Sequence, residues 1–99
     1  MGVGKQPFRF SGAARDDLRH GVLWYEEARE GLGGRFAADV QKAVDLILRA
    51  PDRWPIRRGT QRYVLRRFPY TIAYRVIGEQ VVILAVAHHR LDPGAWERR

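Results

Sequence analysis

Cysteine is absent from this 99-residue chain, which excludes disulfides and thiolate-held metals. No apolar run approaches the ~18 residues of a membrane-crossing helix. The opening residues, MGVGKQPFRF, lack the apolar stretch of a secretory signal. The expectation is a cytoplasmic protein with no membrane partner. Glycine-rich phosphate loops, Gly-x-Ser-x-Gly and His-Glu-x-x-His are also missing. No cofactor or metal is therefore expected. No internal repeat is visible, and the length allows one domain spanning 1–99. Residues 1–6 are expected to be flexible and 92–99 to form a tail.

Lysine is scarce as well: of 18 basic residues, 16 are Arg. Arginine offers a planar fork for phosphate or carboxylate and keeps its charge at physiological pH. Residues 1–52 hold equal numbers of basic and acidic side chains, so the net charge of +7 arises entirely from 53–99. A basic half joined to a neutral half points to a polyanionic surface or an acidic protein partner.

Apolar spacing defines the elements. Phe8 to Phe10 reads as a short strand, and Ser11 as the N-cap of a helix. Ala14, Leu18, Val22, Tyr25, Ala28 and Leu32 fall on one stripe of that helix. Leu23 and Trp24 lie off the stripe, where they widen the apolar face or leave an edge for a partner. Glycines at 31, 33 and 34 break the helix. A second follows, with Phe36, Val40, Ala43, Val44 and Ile47 on one face, and stops before Pro51. Residues 51–61 read as a loop carrying Arg57 and Arg58. Three strands are expected at 62–68, 71–77 and 80–89, with short turns between them. The fold class is α+β: a small antiparallel sheet in the order β-α-α-β-β-β, with the helical hairpin packed on one face.

The last strand, QVVILAVAHH, ends in His88, His89 and Arg90. Strand alternation groups His88 with Val82, Leu84 and Val86, and His89 with Val81, Ile83, Ala85 and Ala87. The two imidazoles leave on opposite faces. If Tyr63 and Leu65 face the helices, Arg62 and Arg66 project on the open face, with Arg90 at the same edge. Arginines beside a histidine are the parts of metal-free RNA cleavage, which needs a base, an acid and cations for the charged phosphorane. A solvated basic face that binds an acidic partner uses the same residue types. His20 lies off the apolar stripe of the first helix and reads as exposed. Trp54 and Trp96 flank the basic half, where they stack on bases or plug the edge of the core.

Three segments together carry a family resemblance: DLRHGVLWYEEAREGLGGRF, RYVLRRFPYTIAYRV and VVILAVAHHRLDPGAW. In order and spacing they resemble the RelE/ParE superfamily of type II toxin–antitoxin toxins, proteins of the plasmid-stabilisation type, from Phe8 to Trp96. The resemblance implies a helical hairpin on a small sheet, growth arrest, and a cognate antitoxin that wraps the toxin. RelE-like members cut mRNA on the ribosome, whereas ParE-like members poison DNA gyrase without nuclease residues. In the cutting members, basic residues on the central strands combine with a C-terminal Arg and a Tyr or His. Arg66 matches a strand position of that set, Arg90 the C-terminal arginine, and His88 or His89 the histidine. Two departures stand out. Thr71, not arginine, follows Tyr70, and the tail offers Trp96 in place of tyrosine. The leading expectation is a ribosome-dependent endoribonuclease using Arg90, His89, His88 and Arg66, with Arg57, Arg58, Arg62, Arg66 and Trp96 binding RNA or target. The alternatives are a gyrase inhibitor and a basic binding module.

Overall fold

The computed structural model describes residues 7–90. Strand β1 (Phe8–Phe10) leads into helix α1 (Gly12–Ala28), then α2 (Leu32–Arg49) and a single 3₁₀ turn (Pro51–Arg53). Strands β2 (Ile56–Arg57), β3 (Thr60–Val64), β4 (Tyr70–Ile77) and β5 (Gln80–His88) follow. The five strands form one sheet in the order β1-β5-β4-β3-β2.

This is the expected α+β architecture, with three differences. Strand β1 pairs with β5 in parallel, Phe8 opposite Val81 and Phe10 opposite Ile83, so the sheet is mixed. The segment read as a loop contains β2, which forms a hairpin with β3. Its two-residue turn places Arg58 at φ 52° and Gly59 at φ 81°. Two positive φ values are what a type I′ hairpin turn requires. Asn-Gly signals such a turn and Arg-Gly does not, so the sequence concealed it. Finally, β3 stops at Val64 instead of reaching 68, which leaves Arg66 and Arg67 in the connection to β4.

Ser11 caps α1 as expected, its Oγ accepting from the Ala14 N–H at 3.1 Å. The helix ends at Ala28, short of Leu32, and Gly31 turns the chain in the left-handed region at φ 87°. Both oxygens of Glu26 accept from the start of α2, at 2.9 Å from the Gly31 N and 3.0 Å from the Gly33 N. This carboxylate satisfies donors that a helix start leaves unpaired. The helices meet closely at two glycines. A Cβ on Gly21 would lie 2.6 Å from the Phe36 ring, and one on Gly33 would lie 2.5 Å from the Val22 carbonyl oxygen.

The core lies between the hairpin and one sheet face. Phe36, Val40, Val44 and Ile47 of α2 meet Ile72 and Tyr74 of β4 and Val81, Ile83 and Val86 of β5. Tyr25, Phe36, Phe68 and Tyr70 add an aromatic cluster, with ring centroids 4.6–6.1 Å apart. Tyr74 is fully buried. Its hydroxyl donates to the Pro51 carbonyl at 2.6 Å. Gln61 donates to the same carbonyl and to that of Trp54. These bonds satisfy buried polar atoms and anchor the connection between α2 and β2.

One irregularity decides the geometry at the end of β5. Ala73 pairs with Ala85, but Tyr74 pairs with Ile83, so Leu84 is an extra residue. Such a bulge reverses the facing of everything beyond it. Val81 and Ile83 face the helices before the bulge, and Val86 and His88 do so after it. The simple alternation that grouped His88 with Val82 and Leu84 is thereby corrected. Helix α1 supports the bulge. The Ser11 N–H donates to the Ile83 carbonyl at 2.9 Å. The Asp17 carboxylate accepts from the Val86 N–H at 3.0 Å.

Candidate functional site

His88 and His89 leave β5 on opposite faces. His88 turns toward the helices and meets the Tyr70 ring edge-on, with centroids 5.0 Å apart. Its Nδ1 accepts from the Arg90 N–H at 3.0 Å. In the neutral ring, such a bond leaves the proton on Nε2. His89 is exposed, and its Nε2 lies 3.1 Å from the Thr71 hydroxyl.

On the His89 face the floor is made of small side chains, Ala73, Ala85 and Ala87, which form a cluster apart from the main core. Arg62 of β3 lies opposite Ala73. Arg75 of β4 reaches the hairpin turn, its Nε donating to the Gly59 carbonyl at 2.9 Å. Arg9 alternates with Phe10, which packs on the core, and so belongs to this open face as well.

Arg90 and His88 belong to a different place. With Asp17, His20, Gly21 and Trp24 of α1, and with Tyr70 and Val86, they line a groove of about 410 Å³. Burial, reinforced by Tyr25 and Asp17, pushes the Tyr70 hydroxyl above its ordinary range. Arg66 is in a third location, beside Asp39 and Lys42 of α2 in a hollow of about 350 Å³. Arg57 and Arg58 occupy the exposed β2–β3 hairpin. Arg53 stacks over Trp54, 5.6 Å from the ring centre, and Trp54 also meets Tyr63. Trp96 and the tail fall outside the described residues, as do residues 1–6.

The structure thus separates the expected cluster. Arg62 and His89 share the open face, Arg90 and His88 share the α1 groove, and Arg66 joins neither. Sequence reasoning missed Arg9 and Arg75, whose alternation with core residues was the available signal. His20 is exposed, as expected, and lines the α1 groove. Its four-residue spacing from Trp24 puts both on one side of α1. Among the described residues, no group of three or more histidine, aspartate, glutamate or cysteine side chains is placed to hold a metal.

The family model for the ParE toxin of the type II toxin–antitoxin system parDE matches residues 8–93. One similar solved structure is a chain from the chromosomal ParDE system of P. aeruginosa, at 18% identity and a TM-score of 0.75. The match covers 85% of this chain and 96% of that one. Another is a chain from the RelBE2 toxin–antitoxin complex of Mycobacterium tuberculosis, at 32% identity and a TM-score of 0.59. That match covers 86% of this chain and 99% of the other. None of the curated proteins matches. A helical hairpin on a small sheet with a basic C-terminal half is here the toxin of a type II toxin–antitoxin system. The chain belongs to the ParE toxin family.

Proposed function

We propose that this toxin arrests growth by docking on DNA gyrase, without cutting RNA, and that a cognate antitoxin neutralises it. The observation that carries this reading is the separation of the candidate catalytic groups. Cleavage of a phosphodiester needs base, acid and cation around one phosphorus. Here His89 and Arg62 lie on one face of the sheet, Arg90 and His88 at the rim of the other, and Arg66 beside α2. An open face floored by alanine and flanked by Arg9, Arg62 and Arg75 suits docking. The family match to ParE toxins supports the same target.

The test uses purified protein in two assays. Gyrase supercoiling should be inhibited by the parent chain, with Arg62→Ala and Arg75→Ala weakening inhibition. A translation extract programmed with defined mRNA should show no toxin-dependent cut. Cleavage by the parent that disappears in His88→Gln or His89→Gln would restore the endoribonuclease reading and remove this one.

A further inference from the structure

We infer that the open face binds the backbone of double-stranded DNA, through a row of arginines that crosses the sheet. The inference rests on the gyrase reading for its setting, because gyrase works on duplex DNA, and it names what this face meets there.

The row follows from the strand register. Arg9 of β1 and Arg75 of β4 both pair with Val82 of β5, one on each side of it. Gln61 pairs with Tyr74, so the next position, Thr60, falls beside Arg75. Thr60 in turn pairs with Arg57 of β2. Arg9, Val82, Arg75, Thr60 and Arg57 thus form one line across the whole sheet. Every second member is an arginine, and these arginines are exposed. Strands lie ~4.8 Å apart, so successive arginines stand about 10 Å apart and the row is about 19 Å long. Arg62 stands behind the line, beside Ala73.

The charge along this line has one sign. None of the strands contains an aspartate or a glutamate. The described acids belong to the helices, their joint, the 3₁₀ turn and the β4–β5 turn. Asp52 of the 3₁₀ turn shares a hollow of about 350 Å³ with Arg75, at one margin of the row. The Arg75 guanidinium is held in place, since its Nε donates to the Gly59 carbonyl at 2.9 Å. A cation positioned in this way loses less freedom when it meets an anion, and its fork carries further N–H groups for a phosphate.

A line of cations with no acid among them complements a linear polyanion, whose charges recur along one direction. About 19 Å spans roughly five phosphates of one DNA strand, at ~3.4 Å each along the helix axis. A protein partner draws its affinity from apolar contacts at the centre of an interface. The row offers none, because Val82 and Thr60 between the arginines are buried. A single strand needs rings on which its bases stack. The strands turn theirs away: Phe8, Phe10, Tyr63, Tyr70 and Tyr74 lie on the helix side. A duplex keeps its bases stacked inside and presents backbone, which arginines bind without reading sequence.

The probe is a fluorescein-labelled DNA duplex of about 24 base pairs, titrated with the purified full chain and followed by anisotropy, without gyrase. The parent should bind it, with log K falling linearly against log salt. Arg9→Ala, Arg57→Ala and Arg75→Ala should each weaken binding about fivefold at about 100 mM salt and lower the salt slope by roughly one. Arg35→Ala removes an exposed arginine at the start of α2 and should bind within about twofold of the parent. Circular dichroism should give the same melting curve for the parent, Arg9→Ala and Arg57→Ala. Equal losses in Arg35→Ala and the row variants would overturn the inference, because net charge alone would then account for binding. Tighter binding of a single-stranded oligouridylate of the same length would overturn it too, and assign the face to RNA. A parent that inhibits supercoiling but binds no duplex overturns the inference and leaves the gyrase reading in place. Row-dependent duplex binding by a parent that does not inhibit supercoiling keeps the DNA surface and removes the gyrase reading instead.

Discussion

The two faces of the sheet are built from the same strands and carry opposite chemistries. Toward the helices, β4 presents Tyr70, Ile72 and Tyr74, which are large and buried in the main core. Toward the other side it presents Thr71, Ala73 and Arg75. On β5 the contrast falls between neighbours: His88 lies against Tyr70, whereas His89 sits near Thr71 in solvent. One face is shaped by packing, where each large side chain contributes strongly to stability. The other combines small side chains with long cationic ones, which leaves a shallow surface with room for a partner. The same alternation that folds the chain thus supplies both a packed scaffold and an exposed basic face.

The largest test of this contrast is Tyr74→Ala. It should destabilise the protein by about 3–5 kcal/mol, as aromatic truncations in a core do. Val64→Ala, at a side chain 57% exposed on the other face, should stay within about 0.5 kcal/mol. Urea denaturation of both reads the difference, and equal midpoints would mean the faces do not differ in the way described.

Alkaline pH probes the same face. Burial, with a further contribution from Asp52, pushes the Tyr74 hydroxyl up to about 12. The unfolded chain releases that proton near the ordinary tyrosine value of ~10. The folded form therefore holds the proton more tightly. The resulting stability is complete below pH ~10 and is lost as pH rises toward 12. Tyr74→Phe should lessen this alkaline loss, as read from urea midpoints between pH 9 and 12.

A smaller effect is expected at the bulge that parts the two histidines. Asp17→Ala removes the acceptor for the Val86 N–H and should cost about 1–3 kcal/mol. Amide exchange at Val86 should accelerate, and Asp17→Asn, which keeps an acceptor, should recover much of the protection. Unchanged exchange in Asp17→Ala would show that the strand end holds its shape without α1.

Smallest, and opposite in sign, is Arg58→Asn. Arg58 sits at φ 52°, where asparagine is far better tolerated than arginine. The substitution should stabilise the protein by about 0.5–1 kcal/mol, seen as a higher melting temperature. A destabilised variant would mean that contacts of the Arg58 side chain outweigh the backbone strain.

Much of this arrangement was legible in the sequence, and particular residues show where legibility ended. Helical periodicity located both helices, and Ser11 marked the first start correctly because capping is a local property. Tyr63 and Leu65 do turn toward the helices, the condition on which strand alternation placed Arg62 on the open face. The bulge at Leu84 was hidden, since the carboxylate that bonds beside it lies 69 positions away in the chain. The β2–β3 hairpin was hidden because Arg58 accepts a backbone conformation it does not favour. The expectation that Arg66 and Arg90 share a surface with one of the two histidines rested on β3 running further than it does.

The parallel pairing of β1 with β5 bears on how this protein comes into being. Phe8 finds its partner at Val81, close to the other end of the described chain. The helical hairpin, by contrast, closes through contacts as local as Glu26 with Gly31 and Gly33. During synthesis the N-terminal part emerges first, so the hairpin can assemble while its sheet is still missing. The strand that joins β1 to β4 is the last to appear. A nascent chain that stops before residue 80 therefore lacks Ala85 and Ala87 of the open-face floor and Val86 and His88 of the α1 groove. Both surfaces are completed only once β5 has been made.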